Sequence, residues 1–220
     1  MAGFVIAVDG PAASGKGTIA SGLAREYGLP YLDSGLLYRA VGHAANQPPY
    51  SEADASLLAE QLVPEALDNP AYRTREAGEF ASRVAVNPAV RAALFDFQRR
   101  FADDPRGAVI DGRDIGTVIA PDAPAKLFVT ARPEVRAERR WRQLIGQGET
   151  VTLDAVLADI RQRDERDSAR ATAPLVRALD ATLLDTSEMT IDEAADAARR
   201  IVEAARVRWE ASQRTNPTTP

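Results

Sequence analysis

Short apolar runs alternate with longer amphipathic stretches along this chain of 220 residues. The first run lies within residues 3–8 and is continuously apolar from Phe4 to Val8, which is typical of a strand buried on both faces of a parallel sheet. Similar runs predict further strands over residues 30–32, 108–111, 125–130 and 182–186. Because helical stretches separate these strands, the pattern predicts an α/β fold with a five-stranded parallel sheet and helices on both faces.

The amphipathic stretches predict helices, and local signals mark several of their ends. Gly28 is expected to close the first helix in a left-handed conformation, and Asp33 is expected to cap the second. Ser51 and Asp54 have the spacing of an N-cap pair, and Pro88 suits a first helical turn. The predicted helices cover residues 18–27, 34–45, 52–62, 74–86, 88–102, 133–144, 152–170 and 193–209.

Two helical regions are too long to be simple crossovers between strands. Residues 46–105 separate the second strand from the third, and the charged hairpin of residues 133–170 separates the fourth from the fifth. We expect both to be inserts that cover a site on one domain spanning residues 1–210. The core of that domain would comprise residues 1–45, 106–132 and 171–210. The polar tail, residues 211–220, is expected to be disordered.

The loop after the first strand has the composition of a phosphate-binding loop. The order strand, glycine loop, helix is the context that such a loop requires. Gly10 and Gly15 permit backbone angles that let successive amides converge on one anion, and the helix adds the positive end of its dipole. We therefore expect a sheet of the P-loop NTPase type. The residues around the phosphates would be Gly10, Pro11, Ala12, Ala13, Ser14, Gly15, Lys16, Gly17 and Thr18.

Lys16 and Thr18 are the chemically specific members of this loop. Lys16 is expected to reach the outer phosphates, and Thr18 to offer its hydroxyl to a phosphate or to Mg²⁺. The chain has only two lysines, Lys16 and Lys126, so the choice of lysine here favours a narrow phosphate cage. The usual pattern has Ser or Thr directly after the lysine, whereas Gly17 intervenes in this variant. The alternative is a glycine-rich turn that binds no ligand.

Composition excludes several classes of function. The net charge of −5 argues against a general nucleic-acid surface, and the absence of cysteine excludes disulfides, thiol nucleophiles and cysteine metal sites. The single histidine, His43, excludes a histidine metal cluster and is expected to be structural. There is neither a basic leader nor an apolar stretch approaching the ~20 residues of a membrane span. We expect a monomeric cytoplasmic protein without nucleic-acid or membrane partners.

Polar residues follow the predicted strands, at the edge where ligands of parallel sheets bind. They are Asp33, Ser34, Tyr38 and Arg39 after the second strand, Asp111, Arg113 and Asp114 after the third, and Arg132, Arg136 and Arg139 after the fourth. Arginine grips anionic oxygens in pairs, so this density of guanidinium groups indicates several anionic groups held at once. We therefore expect these side chains to surround a polyphosphate.

The charged run of residues 163–170 has two interpretations. Arg163, Asp167 and Arg170 are spaced i, i+4 and i+7, which places them on one helical face. Alone, such a run indicates a solvated, ion-paired surface helix. Beside a phosphate-binding loop, its arginines favour an anion site. Ser82 and Arg91, taken alone, are only surface residues of helices.

Together these motifs closely resemble bacterial cytidylate kinases, a family of nucleoside monophosphate kinases. The matching stretches are residues 8–18, 31–39, 73–74, 82–85, 111–117, 163–170, 173–174 and 185–187. Several of them are not general to phosphate-loop proteins, which makes the combination specific. The resemblance covers nearly the whole chain expected to be ordered.

This resemblance implies an enzyme that transfers the γ-phosphoryl group of ATP to CMP or dCMP with Mg²⁺. Residues 46–105 would be the insert that binds the monophosphate, and residues 133–170 the LID. Residues 10–18 and Arg139 would hold ATP, with Thr18 towards the metal. The monophosphate would contact Ser34, Arg39, Ser82, Arg91, Arg113, Asp114, Arg163, Asp167 and Arg170. Catalysis by charge stabilisation would fall to Lys16, Arg39, Arg113, Arg163 and Arg170.

The chain departs from the family pattern at two places. Many members have glycine where Ala13 stands, so the loop is expected to form but to be slightly stiffer. Many also carry a strand-rich extension of the insert, for which residues 63–72 are too short.

Three other functions stay open at this point. The first is a different small-molecule kinase on the same scaffold, acting on adenylate, uridylate or shikimate. The second is a GTPase-like switch, although neither lysine follows an asparagine and the guanine-reading Asn-Lys-x-Asp is absent. The third is a nucleotide sensor without catalytic activity.

Overall fold

A computed structural model describes residues 3–63 and 67–215. Its five strands form one parallel sheet in the order β2-β3-β1-β4-β5, which confirms the predicted fold class. The strands are β1 (Val5–Asp9), β2 (Tyr31–Asp33), β3 (Ala108–Gly112), β4 (Ala125–Thr130) and β5 (Thr182–Asp185). The central position of β1 places the loop that follows it in the middle of the carboxyl edge of the sheet.

Eight α-helices connect and cover these strands within the described residues. They are α1 (Lys16–Tyr27), α2 (Ser34–Ala45), α3 (Ala55–Glu60), α4 (Arg75–Val84), α5 (Pro88–Ala102), α6 (Pro133–Gly146), α7 (Leu153–Ser168) and α8 (Ile191–Thr215). Short 3₁₀ turns occupy Glu52–Asp54 and Pro70–Arg73, and a π-helical turn occupies Ile115–Ile119. No helix in the described ranges is long and apolar enough to cross a membrane.

Two predicted helix ends are found as expected, and a third is found only in part. Gly28 closes α1 in the left-handed conformation, with φ 63° and ψ 32°. The Asp33 carboxylate caps α2 by accepting a hydrogen bond from the amide of Gly35. Ser51 and Asp54 form their capping box, but it starts a 3₁₀ turn, and α3 is shorter than the predicted helix over residues 52–62.

The last helix is longer than predicted. It continues to Thr215, so the prediction of a disordered tail from residue 211 is wrong for residues 211–215, and residues 216–220 lie outside the described chain. Trp209 anchors this end, since its ring lies 5.3 Å from that of Phe4. Arg206 pairs with Glu210 one turn along the helix. A polar sequence remains helical here because the preceding turns are packed on the sheet.

β1 lies between two apolar cores, which explains why its sequence is apolar without interruption. Val5 and Ala7 face a core shared with α2 and α5, whereas Ile6 and Val8 face a second core shared with α1 and α8. The predicted charged hairpin, α6 with α7, has a small core of its own around Leu144. The sheet is therefore fixed from both faces, and the hairpin is held together separately.

Gly42 allows α2 and α4 to approach closely. A Cβ atom at this position would lie 2.7 Å from the carbonyl carbon of Phe80 and 2.8 Å from its Cβ. Since the nearest atom belongs to the backbone of α4, the whole helix would have to move to accept a side chain. The glycine is therefore required by the packing of α4, part of the first insert, against α2.

We predict that Gly42→Ala lowers the free energy of unfolding by about 1–3 kcal/mol, because overpacking forces the backbone of α4 outward. Urea denaturation measures this change. The matched control is Gly22→Ala in α1, where an added Cβ meets no atom within 4 Å. Helix propensity should make that variant more stable by about 0.5–1 kcal/mol. Effects of the same sign in both variants would contradict the packing argument.

Candidate active site

The glycine loop of residues 10–15 connects β1 directly to α1. A Cβ at Gly10 would lie 2.0 Å from the carbonyl oxygen of Val129 in β4, so only glycine fits there. Gly15 precedes α1 with φ 89°, and among the described residues no side chain caps this helix start. The first amides of α1 have no acceptor within the helix and face outward from it. This end of α1 is therefore suited to an anion, as predicted.

The loop is held from outside through its carbonyl groups. Arg136 donates to the carbonyl of Ala12 at 3.2 Å, and the hydroxyl of Thr186 donates to that of Ser14 at 3.1 Å. Ala13 has a left-handed φ of 58°, which is strained for a residue with a Cβ. The Ser14 hydroxyl is buried with no hydrogen-bond partner in the described structure. Strain and an unpartnered polar group in one short loop are typical of a binding site.

Lys16 is largely buried at the start of α1, directly after the loop. Its Nζ atom lies 3.7 Å from a carboxylate oxygen of Asp111, whose other oxygen accepts a hydrogen bond from Tyr31 at 2.7 Å. Burial, and then the positive charge of Arg113, lower the pKa of Lys16 to about 8. Asp111 is thus the partner of the lysine, a role that the sequence pattern did not assign. The lysine carries a charge that its own surroundings only partly stabilise.

One cleft contains all nine residues predicted on the monophosphate side, together with Lys16. They are Ser34, Arg39, Ser82, Arg91, Arg113, Asp114, Arg163, Asp167 and Arg170. Among the described residues that line it, six side chains are cationic and only three are carboxylates. The cleft is therefore positive in a chain whose net charge is −5. Such a concave surface attracts a polyanion.

Asp167 organises the arginines of this cleft. Its carboxylate accepts a hydrogen bond from Arg113 at 2.7 Å and another from Arg170. Burial alone would raise the pKa of Asp167, but the charges of Arg113, Arg170 and Arg163 outweigh it and lower the pKa. Burial lowers the pKa of Arg163 to about 9, and its Nε atom has no partner in the described structure. One carboxylate thus orients two guanidinium groups, those of Arg113 and Arg170, and the nearby charge of Arg163 is left without a bond to it.

A second ion pair lies in the part of the cleft lined by α5. Arg91 donates to Asp114, and both side chains are less than one-tenth exposed. The guanidinium of Arg91 lies 5.7 Å from the ring centre of Tyr38. Ser82 of α4 places a buried hydroxyl without a described partner on the same cleft. A carboxylate, a guanidinium and a hydroxyl thus provide acceptors and donors that suit the polar edge of a base.

Comparison with known proteins agrees with this geometry. The family model described as Cytidylate kinase matches residues 6–204. The chain belongs to the cytidylate kinase family. One relative named Cytidylate kinase, from Caulobacter sp. (strain K31), is 67% identical, and the match covers 94% of this chain and 97% of that protein. Another of the same name, from Xanthobacter autotrophicus (strain ATCC BAA-1158 / Py2), is 64% identical, and the match covers 92% of this chain and 99% of that protein.

The fold also recurs in a solved structure of low sequence identity. The crystal structure of an uncharacterized protein from Eubacterium ventriosum ATCC 27560 matches with a TM-score of 0.54 and 15% identity. The match covers 91% of this chain and 98% of that one. At this identity the likeness shows the fold alone.

The arginines that follow β4 are arranged differently from the sequence-based expectation for a cytidylate kinase site. Arg132 pairs with Glu188 on the surface, and Arg136 is engaged by Asp164 and by main-chain carbonyls. Arg139, predicted to bind ATP, donates to the hydroxyl and carbonyl of Thr186, the residue that supports Ser14. As placed, these groups hold protein atoms and do not line the cleft.

Arg140 is the arginine of α6 that reaches a second cavity, beside the glycine loop. It lines this cavity with Ala12, Ala13 and Lys16, and burial followed by the charge of Arg39 lowers its pKa. The sequence does not distinguish it from Arg139, because the two residues are adjacent and only the helical phase separates them. The packing of Trp141 against the hairpin core, with its Nε1 bonded to Val151, fixes that phase.

The two inserts touch each other across this second cavity. Arg75 of α4 pairs with Asp159 of α7, and Arg166 of α7 lies 3.4 Å from Glu79 of α4. These side chains are about one-quarter to one-half exposed. The contact joins the first insert to the hairpin without involving the sheet.

Thr18, predicted to face a metal ion, is an exposed residue in the first turn of α1. In the described part of the chain no group of three or more His, Asp or Glu side chains could hold a metal by itself. A hydroxyl beside phosphate oxygens suits Mg²⁺, which takes few protein ligands and binds largely through phosphates and water. The Thr18 assignment stays a prediction.

We predict proton uptake when ATP, the predicted donor, binds at the glycine loop. With a pKa of about 8, much of Lys16 is neutral in the free protein near that pH, and a bound polyanion restores its charge. Uptake should rise from roughly a quarter of a proton at pH 7.5 to roughly three quarters at pH 8.5. Calorimetry in buffers of different ionisation enthalpy measures it. Proton release, or an uptake that does not change with pH, would contradict the placement of a largely buried Lys16 beside the phosphates of bound ATP.

Proposed function

We propose that this protein transfers the γ-phosphoryl group of ATP to CMP or dCMP, giving ADP and CDP or dCDP. Membership of the cytidylate kinase family supports this reaction. The observation that carries it is the cationic cleft, which adjoins the glycine loop and includes the Arg91–Asp114 pair. A glycine loop alone would fit many nucleotide-binding proteins, but this combination fits two phosphorylated substrates.

The catalytic problem in this reaction is the approach of two polyanions. The nucleophile is a phosphate oxygen of CMP that is already deprotonated at neutral pH, so no general base is required. Lys16, Arg39, Arg113, Arg163 and Arg170 would neutralise the phosphoryl groups, which is the main requirement of phosphoryl transfer. Their charges are held close together before substrate binds, and Asp167 fixes the orientation of Arg113 and Arg170.

Cytosine recognition is assigned to Arg91, Asp114 and Ser82. The Asp114 carboxylate would accept a hydrogen bond from the exocyclic amine of cytosine, while guanidinium and hydroxyl groups face the acceptors on its other atoms. Uracil presents a carbonyl oxygen where cytosine has the amine. A buried carboxylate facing that oxygen would be unfavourable, which provides discrimination. The pairing with Arg91 keeps the carboxylate in place within a buried environment.

The donor nucleotide would occupy residues 10–18, and Arg140 would face it from the adjoining cavity. The predicted ATP contact, Arg139, would have to release Thr186 to join them. Mg²⁺, held by Thr18 and the phosphates, would supply further positive charge to the transferring group. The hairpin of α6 and α7 would act as the LID that excludes water, and residues 46–105 as the monophosphate-binding insert. Cytoplasmic location and a monomeric state remain predictions from the sequence.

The first test is Lys16→Met, which removes the ammonium but keeps the length of the side chain. We expect kcat to fall by about 10²–10³-fold or more, because a preorganised charge at the transferring phosphoryl group is lost. Circular dichroism and thermal unfolding should show an intact fold. The matched control is Arg25→Ala, which removes an exposed cation from the same helix and should change kcat less than about twofold. Retained activity in Lys16→Met would refute the role of the loop.

The second test is Asp114→Asn, chosen because asparagine keeps one acceptor for Arg91. The ratio of kcat/KM for CMP to that for UMP should fall by about 100-fold, since the group that separates an amine from a carbonyl is lost. The KM for ATP should change little, because Asp114 lies on the acceptor side. Initial rates with both substrates measure the ratio. Equal losses for CMP and UMP would contradict base reading by Asp114.

A further inference from the structure

Asp9 is a buried carboxylate that the proposed mechanism does not use. It is the last residue of β1, directly before the glycine loop, and is only 5% exposed. Its two oxygens accept hydrogen bonds from the amides of Ile115 at 2.8 Å and Gly116 at 2.7 Å. Both bonds connect the centre of the sheet to the turn that follows Asp114.

The bond to Ile115 fixes the peptide unit that Asp114 shares with it. The amide of this unit donates to Asp9, and its carbonyl, on Asp114, accepts from Val118 at 2.9 Å and from Ile119 at 3.2 Å. Both polar groups of one planar peptide are therefore held. Asp114 itself has φ −141° and ψ 25°, outside the helical and extended regions. With this peptide fixed, the Cα atom of Asp114, from which its side chain extends into the cleft, is held in place.

Asp9 is the acceptor that the surrounding residues provide for the amides of Ile115 and Gly116. The side chain of Lys126 passes next to Gly116, but its ammonium bonds Pro121 and Asp180 instead of Asp9. The turn itself begins at Ile115, so the amides of Ile115 and Gly116 lack acceptors within it. Buried donors without an acceptor are strongly unfavourable, so loss of the carboxylate would force the turn to move.

We propose that Asp9 is a positioning residue for base selection: it holds the turn after Asp114 so that Asp114 reads cytosine. This inference rests on the proposed function, because it concerns the same acceptor site. Asp9 need not touch either substrate. It ties base selection to the strand that carries the glycine loop, and it acts through the backbone of Ile115 and Gly116.

The ionisation of Asp9 gives this arrangement a pH dependence. Burial raises the pKa of Asp9 to about 7, although the bonds from Gly116 and Ile115 lower it in part. Among neighbouring charges, Asp114 raises this pKa and Arg113 lowers it. A protonated carboxyl holds the two amides more weakly, because its oxygens are poorer acceptors than those of a carboxylate. The turn is therefore held most firmly above pH 7 and loosens below it. The preference for CMP over UMP should therefore decrease as the pH falls through 7.

The experiment compares wild type with Asp9→Asn, which keeps the shape of the side chain but turns the NH2 group of its amide, a donor, towards one of the two backbone amides. The ratio of kcat/KM for CMP to that for UMP should fall about tenfold or more, with the KM for ATP within about threefold. In wild type the ratio should decrease from pH 8 to pH 6, and in the variant it should be low and independent of pH. Since CMP and UMP carry the same phosphate, its own titration cancels in the ratio.

Two further variants separate positioning from general structure. Gly116→Ala places a Cβ 3.3 Å from Asp9 and 3.2 Å from Lys126, and should lower the ratio in the same direction without removing the carboxylate. Asp104→Asn is the matched control, because the Asp104 carboxylate also accepts a hydrogen bond from a backbone amide, that of Arg106. Asp104 lies before β3, at the edge of the sheet opposite to the cleft. That control should keep the wild-type ratio.

The outcomes distinguish this inference from the proposed function. Wild type without activity on CMP would refute the function itself. Activity with an unchanged ratio in Asp9→Asn, or a raised KM for ATP at an unchanged ratio, would overturn the positioning role. If Asp9→Asn fails to fold, the wild-type pH profile and Gly116→Ala decide the question, and a ratio unaffected in both would overturn it.

Discussion

The cleft of this protein concentrates more positive charge than its own carboxylates balance. Lys16 and Arg163 have lowered pKa values because burial and neighbouring cations disfavour their charged forms. Unpaired buried charge is unfavourable, so the rest of the fold must hold these groups together against repulsion. Two apolar cores fix the sheet from both faces, and a third core fixes the hairpin. A bound polyanion would relieve the repulsion, and this is the physical basis of the proposed phosphoryl transfer.

The contacts around the cleft hold groups in place more than they neutralise them. Asp167 orients Arg113 and Arg170, and Asp111 accepts from Tyr31 while it faces Lys16. The carbonyls of the glycine loop are bound from outside, and Ala13 keeps a strained angle within it. Each of these arrangements reduces the rearrangement needed when substrate binds, which is how preorganised sites stabilise a transition state.

Much of this could be predicted from the sequence, because local patterns determine it. Apolar runs gave the five strands, and the glycine loop with its lysine could be located from spacing alone. The nine predicted acceptor-side residues lie on one cleft because parallel strands end at one edge. The choice between Arg139 and Arg140 could not be made, since it depends on which helix face Trp141 buries. The end of α8 was also missed, because the ring of Trp209 packs on Phe4, far away in sequence.

The contact between α4 and α7 has a consequence for the order of events in turnover. Its ion pairs are partly exposed, and exposed pairs contribute little free energy, so the two inserts separate easily. If each insert closes on a different nucleotide, closure over either one brings its partner insert nearer to the closed position. Thermodynamic reciprocity then requires that each nucleotide strengthens the binding of the other by the same factor. A weak surface contact can therefore make the two substrates cooperative although their binding groups differ.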